Sequence, residues 1–164
     1  DLLERHGLGA AGTLSLRHLD VARDGTVIIG AQIARGPVGA EALVYSHRRQ
    51  RPLETIALPA DAAHGLSGYV SSVACDHAGD VVAVTSAKGA RAIVLDIASG
   101  KLVQTYPLDD VSGIAPAPTP ADFLVTAGTG RVAIIAGRDD AHMAGTATPW
   151  LWDNHAVFVA GGVS

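Results

Sequence analysis

The sequence predicts an all-β fold. After residue 12, short β-branched runs alternate at near-regular spacing with Gly, Asp, Asn and Pro, which is typical of strands joined by turns. Taking Leu19, Val73, Ile114 and His155 as equivalent points gives separations of 54, 41 and 41 residues. A period of about 40 to 50 residues with four strands per unit is typical of WD40-like β-propeller blades. We therefore predict a partial β-propeller with about three four-stranded antiparallel blades and a closing strand.

The first unit is predicted from its turns. Asp24-Gly25 separates two apolar runs, and an Asp-Gly pair in this position is a strong hairpin signal. With the two runs that follow, the unit has four predicted strands, at residues 14–21, 26–30, 42–45 and 53–56.

The second unit repeats this layout, with runs at residues 69–75, 81–85, 92–96 and 102–106. Asp96 to Lys101 is an Asp-x-x-Ser-Gly-Lys turn, in which glycine supplies a positive φ. The third unit has runs at 111–116, 123–126 and 132–135. A β-sandwich also contains many short strands, but the matching turn positions favour the propeller.

These units define the predicted organisation of the chain. We expect a connector at residues 1–12, blades at about 13–58, 69–107 and 111–152, a closing strand at 153–159 and a tail at 160–164. Propellers typically have four to eight blades, so we expect a partial chain. Its open edges would be completed by missing N-terminal blades or by another copy.

Composition excludes several classes of function. Twelve Lys and Arg against sixteen Asp and Glu give a net charge of −4, without the basic stripe that binding to nucleic acid requires. Cys75 is the only cysteine, which excludes an internal disulfide and a multi-cysteine metal site. No apolar run approaches the roughly 20 residues of a membrane-spanning helix.

Candidate site residues lie at the predicted inner end of the blades. Arg17 and His18 near the start of the first blade, and Asp153, Asn154 and His155 at the end, would meet at one mouth of the central channel. Neutral imidazole is a common ligand of transition metals, so His18 and His155 are candidate metal ligands. Alternatively, these groups hydrogen-bond one another and organise the channel. The other five histidines lie in polar, turn-like surroundings and are interpreted as solvated.

An ordered set of short segments resembles a known family. It includes Leu16 to Leu19 with Asp24-Gly25, Gly30 to Gln32, Tyr69 to Ala74, Val84 to Ser86, Thr126 to Gly130 and Trp152 to His155. Together they are similar to the C-terminal half of the bacterial domain-of-unknown-function family numbered 1513. The resemblance implies a propeller-like protein with a histidine-containing N-terminal half outside this chain. It also implies twin-arginine export to the periplasm and genes beside imelysin-like and dihaem peroxidase-like proteins of iron uptake.

Three functions follow as hypotheses. The first is a non-enzymatic periplasmic binding protein linked to iron uptake, with a metal, haem or a protein as its partner, and therefore with iron or haem as a possible cofactor. The second is a lactonase-like, metal-assisted hydrolase, which rests on fold analogy alone. The third is a structural scaffold. The absence of a complete catalytic signature favours a protein that is not an enzyme.

Overall fold

The structure, a computed structural model, describes residues 2–7, 14–34, 42–138, 142–157 and 159 of the 164-residue chain. Its strands form three four-stranded antiparallel sheets, in which each strand pairs with the next along the chain. This arrangement confirms the predicted blades. Blade 1 contains β1 (Leu14–Val21), β2 (Val27–Ile33), β3 (Val44–His47) and β4 (Glu54–Thr55). Blade 2 contains β5 (Ser72–Cys75), β6 (Val81–Ser86), β7 (Arg91–Asp96) and β8 (Leu102–Pro107). Blade 3 contains β9 (Val111–Pro116), β10 (Phe123–Ala127), β11 (Arg131–Ile135) and β12 (Met143–Ala147).

The first strands of the three blades lie side by side, because β5 contacts both β1 and β9. Blade 2 is consequently buried on both faces. Along β6, Val82 and Val84 belong to the hydrophobic core between blades 1 and 2, whereas Val81 and Ala83 belong to the core between blades 2 and 3. This two-sided burial explains why β6 is a continuous apolar run, whereas a half-buried strand would alternate.

Asx-type turns fix the ends of the blade 2 strands. In the predicted Asp96 turn, Asp96 Oδ1 accepts hydrogen bonds from the Ser99 hydroxyl at 2.7 Å and the Ser99 backbone N–H at 2.8 Å, and Gly100 has a φ of 67°. Before β6, the buried Asp76 accepts bonds from the Asp80 and Val81 backbone N–H groups at 2.8 and 3.0 Å. These bonds satisfy backbone donors that would otherwise be unpaired where the chain reverses.

One short helix, α1 (Ala60–Gly65), joins blades 1 and 2. Its six residues are too few for a periodic pattern, which is why the sequence did not predict it. Within the described residues, no helix is long and apolar enough to cross a membrane.

The predicted closing strand at 153–159 needs correction. In the described part of this segment, residues 153–157 and 159, the chain has no strand. A strand must pair with a neighbouring strand through a ladder of backbone hydrogen bonds. The segment forms no such ladder and passes close to Gly113 of β9, where an added Cβ would lie 3.1 Å from the Asp153 carbonyl oxygen. The exact bounds of the connector and of the blades stay a prediction, and the tail at 160–164 lies outside the described residues.

Candidate functional site

His18 and His155 lie side by side although they are far apart in the sequence. Their ring centroids are 5.2 Å apart, and the ring planes are inclined by 49°. His18 lies on β1, opposite Gly30 of β2 and next to a bulge between Leu16 and His18. Bulges re-aim neighbouring side chains.

The conformation of the chain around His155 is unusual. His155 has a φ of 86°, in a region that non-glycine residues rarely adopt and that is often associated with functional sites. Gly113 on β9 permits the close approach of this segment, because a Cβ at position 113 would lie only 3.1 Å from the Asp153 carbonyl oxygen. A small residue on β9 is therefore part of what places His155 beside His18.

The two histidines share a cavity of about 570 Å³ at the inner strands of the blades. Its walls are supplied by all three blades and by the segment after blade 3, and they comprise residues 17–20, 72–74 and 155–157 with His77, Ile114 and Pro116. The cavity thus lies at the inner strands of the blades, and its interpretation as the mouth of a propeller channel stays a prediction.

The environment of His18 favours its neutral form. Partial burial is the main cause that lowers the pKa of His18 below its ordinary value of 6.5, and the nearby His155 and Arg17 lower it further. Desolvation and like charges both penalise an imidazolium. A neutral imidazole has a free ring nitrogen that can bind a metal ion.

The other predicted site residues divide into two groups. Arg17 lines the cavity with the two histidines. Asp153 and Asn154 are not among its lining residues, and Asp153 Oδ1 instead accepts a hydrogen bond from the Asn154 backbone N–H at 2.7 Å. The structure therefore brings together Arg17, His18 and His155 and leaves the side chains of Asp153 and Asn154 outside the cavity.

A second cluster of metal-ligand residues was not expected from the sequence. Glu4 Oε2 lies 3.2 Å from His6 Nε2 and 3.3 Å from His47 Nε2. A hydrogen bond from the Gln50 backbone N–H, followed by one with His6, lowers the pKa of Glu4 below its ordinary 4.5. The polar, turn-like sequence around His6 and His47 predicts solvated side chains, and no repeat or spacing relates the N-terminal segment to β3.

Comparisons with known proteins agree with the fold. The model of a family described as "Protein of unknown function (DUF1513)" matches residues 1–159, whereas a comparison with curated proteins finds no match.

Among solved structures, the chain is similar to dihydro-heme d1 dehydrogenase NirN in complex with DHE, with a TM-score of 0.60 and 17% identity over 82% of this chain and 29% of that chain. It is also similar to the RRP9 WD40 repeats, with a TM-score of 0.58 and 17% identity over 81% and 37%. A mitotic checkpoint complex chain gives a TM-score of 0.57 and 18% identity over 78% and 36%. The chain thus spans about a third of the length of these matched chains. At such identities the likeness shows the fold alone, a WD40-like β-propeller.

Proposed function

The chain belongs to the DUF1513 family of proteins of unknown function, and from this premise we propose that it is a non-enzymatic binding protein that holds a transition metal ion at the channel mouth. The single observation that carries the proposal is the distance of 5.2 Å between the His18 and His155 rings in a cavity bordered by three blades. Two imidazoles at this separation can direct one nitrogen each toward a common ion.

Iron is the ion that we propose first. Imidazole suits iron as well as zinc, copper and nickel, and the family resemblance connects such proteins with periplasmic iron uptake. Two imidazoles do not complete a coordination shell, so water, further blades or a partner would supply the other ligands. Periplasmic location and a role in iron uptake rest on the family resemblance.

The direct test is a titration of the protein with Fe²⁺ under anaerobic conditions, and in parallel with haemin. We expect saturable Fe²⁺ binding in the unmodified protein, the loss of one binding site in His18→Ala with His155→Ala, and no change in His64→Ala. His64 is a suitable control because it is exposed on α1, where its ring nitrogen Nδ1 contacts the Ala60 carbonyl oxygen. Unchanged Fe²⁺ binding in the double variant would exclude the channel site, and haemin binding with the same sensitivity would identify haem as the ligand.

The hydrolase alternative is less well supported. Metal-assisted hydrolysis in a propeller needs a cation held by several acidic or amide groups, and Asp153 and Asn154 do not line the cavity. Its test is a screen of lactones and esters with divalent metals, for which we expect no turnover above that of the buffer.

A further inference from the structure

We infer that Glu4, His6 and His47 form a second metal site, which binds a divalent first-row transition ion of the zinc class and fastens residues 2–7 to blade 1. The site goes beyond the function proposed above, because it shares no residue with the channel cavity. It joins an irregular N-terminal segment to β3.

The donor atoms have the spacing that such an ion requires. One donor atom from each of the three residues lies within 4.8 Å of the others. The contacts from Glu4 Oε2 to His6 Nε2 and His47 Nε2 are 3.2 and 3.3 Å. Two ligands at about 2.0–2.1 Å from a zinc ion, at the tetrahedral angle, are roughly 3.3 Å apart. An ion could therefore bind with small movements of the side chains.

The donor set selects the class of ion. Two imidazoles and one carboxylate form the three-ligand set of open zinc sites and of some ferrous sites. Calcium and magnesium prefer oxygen ligands throughout, and copper(I) prefers sulfur. The fourth position would be open to water, and His47 also lines a cavity of about 1030 Å³ that offers a route of access.

The surroundings hold the ligands in place. The Gln50 backbone N–H donates to Glu4 Oε1 at 3.0 Å, which leaves Oε2 directed at the histidines. Such outer contacts orient metal ligands. In the part of the chain that the structure describes, His47 Nδ1 is buried and has no hydrogen-bond partner. The nitrogen that faces Glu4 is Nε2, so an ion at this site would bind His47 through Nε2.

The test uses Co²⁺, whose absorption reports tetrahedral coordination, in competition with Zn²⁺. We expect His6→Gln with His47→Gln to bind Co²⁺ at least about 100-fold more weakly at this site, because even the loss of an outer contact costs 10- to 100-fold. His64→Gln is the matched control. His18→Ala with His155→Ala should retain the Co²⁺ spectrum, which separates this site from the channel site.

A second measurement does not depend on the folding of a variant. In the unmodified protein, saturating Zn²⁺ should slow amide hydrogen exchange in residues 2–7, and Glu4→Gln should reduce that protection. Unchanged Co²⁺ affinity in the histidine double variant, or identical exchange with and without Zn²⁺ in the unmodified protein, would overturn the inference.

Discussion

The Asp20 carboxylate of β1 accepts a hydrogen bond of 2.7 Å from the Cys75 backbone N–H of β5. This bond joins the inner strands of blades 1 and 2. We expect Asp20→Ala to lower the free energy of unfolding by about 1–3 kcal/mol, because the variant leaves a backbone donor unpaired. Urea unfolding measures this loss of stability. Asp20→Asn keeps an acceptor oxygen and should therefore lose less stability than Asp20→Ala. Equal losses in both variants would show that the hydrogen bond is not the cause.

The Cys75 thiol should be inert in the folded protein. Cys75 is 5% exposed, and burial, followed by the charges of Asp20, Asp76 and Asp24, raises the pKa of its thiol from 9.0 to about 12. Because the thiolate is the reactive form, the thiolate fraction at pH 8 falls about a thousandfold. We expect alkylation by iodoacetamide only as fast as the protein unfolds, and full reactivity in denaturant. Rapid labelling without denaturant would contradict the burial.

The stability of the metal-free protein should depend on pH through His18. Its pKa is lower in the folded state than the ordinary 6.5, so between the two values the unfolded chain binds more protons. The free energy of unfolding therefore rises with pH in that window. The stabilisation is complete above about pH 6.5 and is lost as the pH falls through the pKa of His18 in the folded protein. In His18→Gln, the free energy of unfolding should change less with pH. Urea unfolding at several pH values measures this difference.

The same histidine gives a spectroscopic check. Burial is the main cause of the lowered pKa of His18, and His155 is the next. His155→Gln should therefore move the pKa of His18 partly back toward its ordinary value in an NMR titration, whereas His64→Gln should leave it unchanged. No movement in His155→Gln would mean that the two rings are not neighbours in solution.

The close contact between blades 1 and 2 depends on a glycine. A Cβ at Gly30 would overlap a Val70 side-chain methyl group and lie 3.0 Å from Val73 Cγ2. Overpacking of this kind typically costs about 1–3 kcal/mol, so we expect Gly30→Ala to lower the melting temperature. Val70→Ala should relieve the overlap in the double variant, and Gly7→Ala, with nothing within 4 Å of the added Cβ, is the neutral control.

The fold could be predicted from local and repeated signals. The Asp96 turn is encoded within a few residues, and the blade repeat aligns Leu19, Val73 and Ile114 on the three inner strands. The rings of His18 and His155 lie close together, but His155 lies in irregular chain and not on the inner strand that the repeat predicts. Their binding role stays a prediction. The directions of the Asp153 and Asn154 side chains could not be inferred from the sequence, because irregular chain has no strand periodicity.

The Glu4 cluster shows a different limit. Its three residues come from an irregular segment and from the end of β3, and no hydrogen-bonded ladder or repeat relates them. Such a contact depends on how a loop folds back over the surface, which a single sequence does not encode in any local pattern. The short helix α1 was missed for the related reason that it lacks two turns of periodic pattern.

Blade 1 carries an apolar surface that no other blade covers in the part of the chain that the structure describes. On β1, Leu16, Leu19 and Val21 are 43%, 61% and 54% exposed, whereas Asp20 between them bonds to blade 2. The uncovered residues therefore lie on the opposite face, where a propeller would place its next blade. Blade 2, by comparison, is covered on both faces.

A second copy of the chain is the partner that we expect on this surface when the chain is isolated, because exposed apolar patches of this kind promote association. Sedimentation velocity should show self-association that increases with protein concentration. Leu19→Glu with Val21→Glu should shift the equilibrium toward monomer by introducing buried like charges at the contact, whereas Thr105→Glu, at an exposed position on β8, should not. A chain that stays monomeric at every concentration, or a charged double variant that associates as before, would mean that this face of blade 1 is not the contact.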